Sequence, residues 1–143
     1  MSEASSVLLQ ETYKNTNMGI DSIEQLMPKV NDGELLKELN TCKNDYSEFK
    51  NILLTELNGR GIPPKETSFA AKIPAYASIN MNMMMDNSDS HAAEMMIQGL
   101  TMGIVNTTKA LNDNKNADPI SIDLANKLVQ MQQKHIETLK AYL

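Results

Sequence analysis

The sequence predicts an all-α fold: a single domain over residues 1–143, folded as a four-helix bundle. Three observations predict it. The six glycines and five prolines gather at a few places and leave long uninterrupted stretches between them. Within those stretches apolar residues recur at three- and four-residue steps, which places them on one helical face. A composition of 41% hydrophobic and 22% charged residues is that of a globular chain with a sizeable core,.

The first helix is expected over about 4–28. Leu9, Tyr13, Thr16, Ile20, Ile23, Met27 and Val30 mark its inner face, and Pro28 with Asn31-Asp32-Gly33 supplies the stop and the turn,. The second spans about 32–59. Its seam, Leu35, Leu39, Cys42, Tyr46, Phe49, Leu53 and Leu57, keeps close to the heptad spacing of bundle cores,. Gly59-Arg60-Gly61 and then Pro63-Pro64 end it. The third spans about 88–113 with Ala93, Ile97, Leu100, Ile104 and Leu111 on one face, and the polar run 112–116 follows. The fourth, about 118–142, opens with Asp118 as cap and Pro119 in the first turn,. Its expected seam is Ile122, Ala125, Val129, Gln132, Ile136, Leu139 and Leu143.

Short turns make helices one and two an antiparallel hairpin, and helices three and four another. The connection over 60–87 is much longer than a turn needs. It is long enough to travel a 25-residue helix of about 37 Å, so helices two and three are expected to run parallel. A short extra helix is expected in it from Ala75 to Met85, after Pro74, with residues 73–85 packed along the bundle.

Two hairpins joined by a long crossover, these helix lengths, and the third-helix run SHAAEMMIQGLTMGI resemble the ferritin-like superfamily, particularly its short bacterial members that lack the di-iron ligands,. The resemblance covers nearly the whole chain and is architectural. It implies a bundle whose chemically active members hold two metal ions at mid-length, with one Glu from each of two helices and a Glu-x-x-His from each of the others. Two adjacent cations need several carboxylates to neutralise them, and imidazoles complete their coordination. In Gln132-Gln133-Lys134-His135 only His135 matches that pattern, and Gln132 replaces the Glu. Gln98 stands at mid-length of the third helix, Asp45-Tyr46-Ser47-Glu48 carries no histidine, and the middle of the first helix holds Asn15, Thr16 and Met18. Neutral amides cannot supply the missing charge. The expectation is no standard di-iron site and no cofactor.

The same positions suggest a polar core layer of Thr16, Tyr46, Gln98 and Gln132, read as a buried hydrogen-bond network that fixes register,. His91, Glu94 and His135 are the weak candidates for a metal site near one end of the bundle. Thioethers can hold Cu(I), but the Met-rich segment 81–85, with Met95, Met96 and Met102, reads better as adaptable packing,. Gly99 and Gly103, four apart, predict a close approach by Gly19 or by another subunit. Cys42 falls on the apolar seam, where a thiol is inert,.

A net charge of −5, a pI near 5.0, 13 scattered basic residues and no Trp argue against nucleic acid as a partner,. The single cysteine fits a reducing compartment,. The N-terminus does not read as a secretory signal, and no apolar run reaches the roughly 18 residues of a transmembrane helix. A cytoplasmic protein without a membrane partner is expected. The function expected is that of a non-enzymatic structural or interaction module, homo-oligomeric with a dimer favoured. The alternative is a metal-binding, oxidative-stress or spore-associated ferritin-like protein that uses His135 in an unusual ligand set. A third reading is a helical pocket for a small apolar molecule, walled by the methionine segment.

Overall fold

Each helix begins on a side chain able to cap it. In the computed structural model, which describes residues 2–65 and 86–143, the side chains of Ser2, Asp32, Ser88 and Asp118 accept the backbone N–H of Ser5, Leu35, His91 and Ser121 at 2.9–3.2 Å. These bonds satisfy donors that the first turn of a helix otherwise leaves unpaired. They open α1 (Glu3–Leu26), α2 (Gly33–Gly59), α3 (Asp89–Asp113) and α4 (Pro119–Leu139). Short 3₁₀ turns, Met27–Lys29 and Lys140–Tyr142, extend α1 and α4. Among the described residues there is no strand, and no helix is long and apolar enough to cross a membrane. The expected crossover helix from Ala75 to Met85 and the Met-rich segment 81–85 lie outside the described residues.

The end of α2 shows how local sequence stops a helix. Gly61 takes φ +68°, a conformation L side chains rarely adopt,. The Gly61 N–H then donates to Asn58 O at 3.1 Å and the Ile62 N–H to Leu57 O at 2.9 Å, closing a Schellman motif over the last carbonyls,. Ile62 and Leu57 are both buried there.

Contacts along the bundle set the helix directions. Lys43 lies 3.6 Å from Glu24, and the Lys50 ammonium is 5.9 Å from the centre of the Tyr13 ring, so α1 and α2 are antiparallel. Asn31 and Asp32 donate backbone N–H groups to the Asp89 carboxylate at 2.8 and 3.0 Å, and Asn15 Nδ2 donates to Thr107 Oγ1 at 3.3 Å. Helix α3 therefore also runs against α1. The Asp118 N–H donates to Ser5 Oγ at 2.9 Å, which sets the start of α4 beside the start of α1. Helices α2 and α3 consequently point the same way, and they make at most marginal contact. Helix α1 packs against all three others.

The seven seam residues of α2 are all buried. Helix α1 buries two faces, Leu8, Thr12 and Asn15 as well as Leu9, Tyr13 and Thr16, because it has three neighbours. In α3 and α4 the buried stripe is rotated from the expected one. Helix α4 buries Ser121, Leu124, Ala125, Leu128, Gln132, His135 and Leu139, while Ile122, Val129 and Ile136 are half-buried and Leu143 is exposed. Helix α3 buries Ala92, Met96, Thr107 and Ala110 beside Ala93 and Leu100, leaving Ile97, Ile104 and Leu111 half-buried. Apolar periodicity finds only the most hydrophobic line, whereas a helix with two or more partners buries a wider stripe that small and polar residues complete.

One end of the bundle is clamped electrostatically. The Arg60 guanidinium at the end of α2 reaches both oxygens of Asp118, the cap of α4, and also Glu56 Oε1 at 2.7 Å. Arg60 holds the Asp118 carboxyl well below its ordinary range, and Asp118 in turn raises Arg60.

Candidate functional site

Two glycines open the centre of the bundle to two large polar side chains. The Asn15–Thr107 pair places Gly19, one turn further on, opposite Gly103 across the α1/α3 contact,. A Cβ at Gly19 would stand 2.7 Å from Cε1 and Cζ of the Tyr46 ring. A Cβ at Gly103 would fall on Gln132 Nε2, with Gln132 Cδ at 3.2 Å. Tyr46 from α2 and Gln132 from α4 thus fill the room these glycines leave, and each is only 1% exposed. Their polar ends face each other, with the Gln132 amide beside the Tyr46 hydroxyl. Burial pushes the Tyr46 hydroxyl above its ordinary range, and the neighbouring Gln132 amide draws it partly back,. Gln132 Oε1 has no partner among the described residues.

The expected polar layer is reproduced only in part. Thr16 is buried, but its hydroxyl donates to Thr12 O at 2.8 Å on its own helix. Gln98 is exposed and donates to Glu94 Oε1 at 3.3 Å. The reason is register. Gly103, not Gln98, faces Gln132, so Gln98 lies more than one turn away and on the outer side of α3. The expected close approach at the glycines is also specific: Gly103 receives the Gln132 side chain rather than Gly19 or another helix backbone. Gly99 is exposed, and among the described residues nothing lies within 4 Å of its Cβ direction.

His135 is buried one turn along from Gln132, and its Nε2 lies 3.0 Å from Asp45 Oδ2 without the alignment of a hydrogen bond. Burial lowers the imidazole pKa, and the Asp45 charge opposes that shift. The sequence reading missed this pairing. Its signal was present, because Asp45 precedes the seam residue Tyr46 and His135 follows the seam residue Gln132 by three. His91, at the start of α3, has Nδ1 3.7 Å from Glu94 Oε2. The three residues expected as weak metal candidates are therefore not one cluster: His91 and Glu94 face each other, and His135 faces Asp45. Among the described residues, no group of three or more His, Cys, Asp or Glu side chains is placed to hold a metal ion.

A di-iron centre of the kind the resemblance implies does not fit these residues. The middle of the bundle presents the hydroxyls and amides of Tyr46, Gln132, Asn15, Thr16 and Thr107, with Asp45 beside His135, where four carboxylates are needed,. The Cys42 thiol is pushed up to about 12 by burial and by the Asp45 and Glu38 charges. A protonated thiol and a protonated phenol are poor nucleophiles, so this centre is chemically suited to holding groups in place.

Outside the same level, a groove of about 300 Å³ runs between α1 and α3. Tyr46 and Gln132 form part of its floor, and Met18, Met95, Met96 and Met102 line its sides. Comparisons with protein-family models, with curated proteins and with solved structures find no match to this chain.

Proposed function

We propose that this chain is a non-enzymatic helical bundle on a ferritin-like plan, acting as a structural or interaction module without di-iron chemistry. The observation that carries the reading is the Tyr46–Gln132 pair seated on Gly19 and Gly103. It fills the bundle centre with neutral groups whose fit into the two glycine clefts fixes register, the best-attested use of buried polar residues,. Two antiparallel hairpins with α2 and α3 pointing the same way support the ferritin-like plan. The exposed Ile52, Met102, Val105 and Ile120 are apolar side chains available to a second copy or another protein, and self-association as a dimer belongs to the same reading. The test is the metal content and solution mass of protein purified without chelator. Far less than one iron per chain and a dimer mass by light scattering are expected; two tightly bound iron or manganese ions per chain would overturn the reading.

A metal-binding role rests on one specific observation, the buried His135 beside Asp45 at mid-bundle. That pair offers one imidazole and one carboxylate, too few to neutralise two cations. Under this second reading, stoichiometric metal would be bound and then lost in His135→Ala.

A further inference from the structure

We propose that the outer face of α3 is a self-complementary interface, on which a second copy of this chain docks with its own α3 antiparallel. The inference rests on the module reading and deepens it by naming the surface and the partner. Helix α3 packs against α1, α4 and the 3₁₀ turn after α4. Its other side leaves Gln98, Gly99, Met102 and Val105 exposed along the middle of the helix. Met102 is 58% and Val105 43% exposed, and Met95 is half-buried beside them. Met95 and Met102 are one heptad apart, as are Gln98 and Val105, so they share one line of the helix, as in the seam of paired helices,. The exposed apolar residues Ile52 of α2 and Ile120 of α4 stand singly instead, the first among Glu48, Asn51 and Thr55, the second beside Pro119 and Asp123.

Charge decides the partner and its direction. The uncharged middle of the face is flanked by one charge of each sign, Glu94 towards the start of α3 and Lys109 towards its end, both exposed. Glu94 keeps His91 Nδ1 at 3.7 Å and its side chain is still 54% exposed. Along the helix Glu94 and Lys109 stand about 22 Å apart, beyond the screening length of about 10 Å in 0.1 M salt, so they do not pair within one chain. A two-fold axis passing between Thr101 and Met102 brings Glu94 of each copy to the height of Lys109 of the other, and the contact is made twice. The same axis sets Gln98 level with Val105 of the second copy. Met102 of each copy then reaches the open space at Gly99 of the other, where among the described residues no atom lies within 4 Å of the Cβ direction. Parallel pairing would set Glu94 on Glu94 and Lys109 on Lys109, and would align the helix dipoles with like ends together. A face that complements its own image is what an isologous dimer requires.

A face one helix wide is at the small end of specific interfaces, so the dimer should dissociate in the micromolar range. Sedimentation equilibrium of the full chain at low salt, from about 1 to about 500 µM, should show monomer passing to dimer. Met102→Glu should weaken association at least about tenfold, and so should Glu94→Lys or Lys109→Glu alone, because each charge reversal acts at two contacts. Glu94→Lys combined with Lys109→Glu should restore it. That recovery requires contact between copies, since the two positions are too far apart on one helix to interact. Ile52→Glu and Ile120→Glu should leave the Kd unchanged. All these positions are exposed, and circular dichroism verifies that each variant keeps its helices. A chain that is monomeric at every concentration would overturn the proposal. So would a double variant no tighter than the single ones, or a dimer that Ile52→Glu or Ile120→Glu breaks and Met102→Glu does not. Two metal ions per chain would overturn the module reading and leave this interface standing, so the two fail separately.

Discussion

Replacing three helical glycines by alanine, one at a time, should give changes of different sign. At an unconstrained helical site the substitution stabilises by about 0.5–1 kcal/mol, because alanine has the lower backbone entropy in the unfolded chain. Gly99 is such a site, with no atom of the described residues near the new methyl. At Gly19 the methyl would stand 2.7 Å from two atoms of a buried aromatic ring. That ring cannot flex, and overpacking a well-filled core costs about 1–3 kcal/mol. Displacing the ring also disturbs the packing around it in the buried centre, for about 1 kcal/mol more,. Against a propensity gain of about 1 kcal/mol, the net for Gly19→Ala is a loss of about 1–3 kcal/mol. At Gly103 the obstacle is the end of a flexible side chain, which can swing away at the cost of repacking the buried centre; the net is a loss of about 0–2 kcal/mol,. For a chain of this size 1 kcal/mol shifts Tm by about 3 °C, so thermal unfolding followed by circular dichroism resolves the series. The expected order of Tm is Gly99→Ala, wild type, Gly103→Ala, Gly19→Ala. The ring atoms nearest the methyl are Cε1 and Cζ, so Tyr46→Phe should not relieve Gly19→Ala, whereas Tyr46→Leu should. A Gly19→Ala protein that melts higher than wild type would refute the reasoning.

The remaining predictions concern titratable groups. Asp118→Asn removes one carboxylate partner of Arg60 and should cost about 1–2 kcal/mol in urea unfolding, a charged hydrogen bond discounted for its partial exposure,. Because Arg60 depresses the Asp118 pKa, the wild type holds this stability above about pH 4 and loses it as pH falls further; the variant should show a flatter acid limb,. Burial depresses the His135 pKa, so the unfolded chain takes up the proton first. Stability should decline as pH falls below about 6.5, and His135→Gln, measured by the same unfolding titration, should remove that slope. Cys42, buried and pushed up to about 12, should not react with a thiol reagent at pH 8 in the native protein, and should react at once in denaturant; rapid native labelling would place it elsewhere than on the α2 seam.

Much of the architecture was legible in the order of residues. Gly59 to Pro64, Asn31-Asp32-Gly33 and Asp118-Pro119 punctuate the chain by local chemistry, and a cap or a left-handed glycine acts within a few residues of itself. The α2 seam was legible for the same kind of reason. Its inner face is the most apolar line on the helix, so periodicity and burial coincide there. Helices α3 and α4 differ because their buried faces are completed by Thr107, Ser121, Gln132 and His135, whose burial depends on which neighbour each one meets. The candidate site depended on the same choice. That Gly19 would admit a tyrosine and Gly103 a glutamine, that Gln98 would turn outward, and that His135 would face Asp45 follow from the axial register of four helices. A slide of one helical turn, about 5.4 Å, preserves nearly all the apolar contacts and changes every polar one. Apolar burial is non-directional and tolerates such a slide, whereas hydrogen bonds and glycine clefts are directional and do not. Sequence therefore determined the helices and the inner face of α2; only the packed bundle decided the full buried stripes of α3 and α4 and which polar side chains meet.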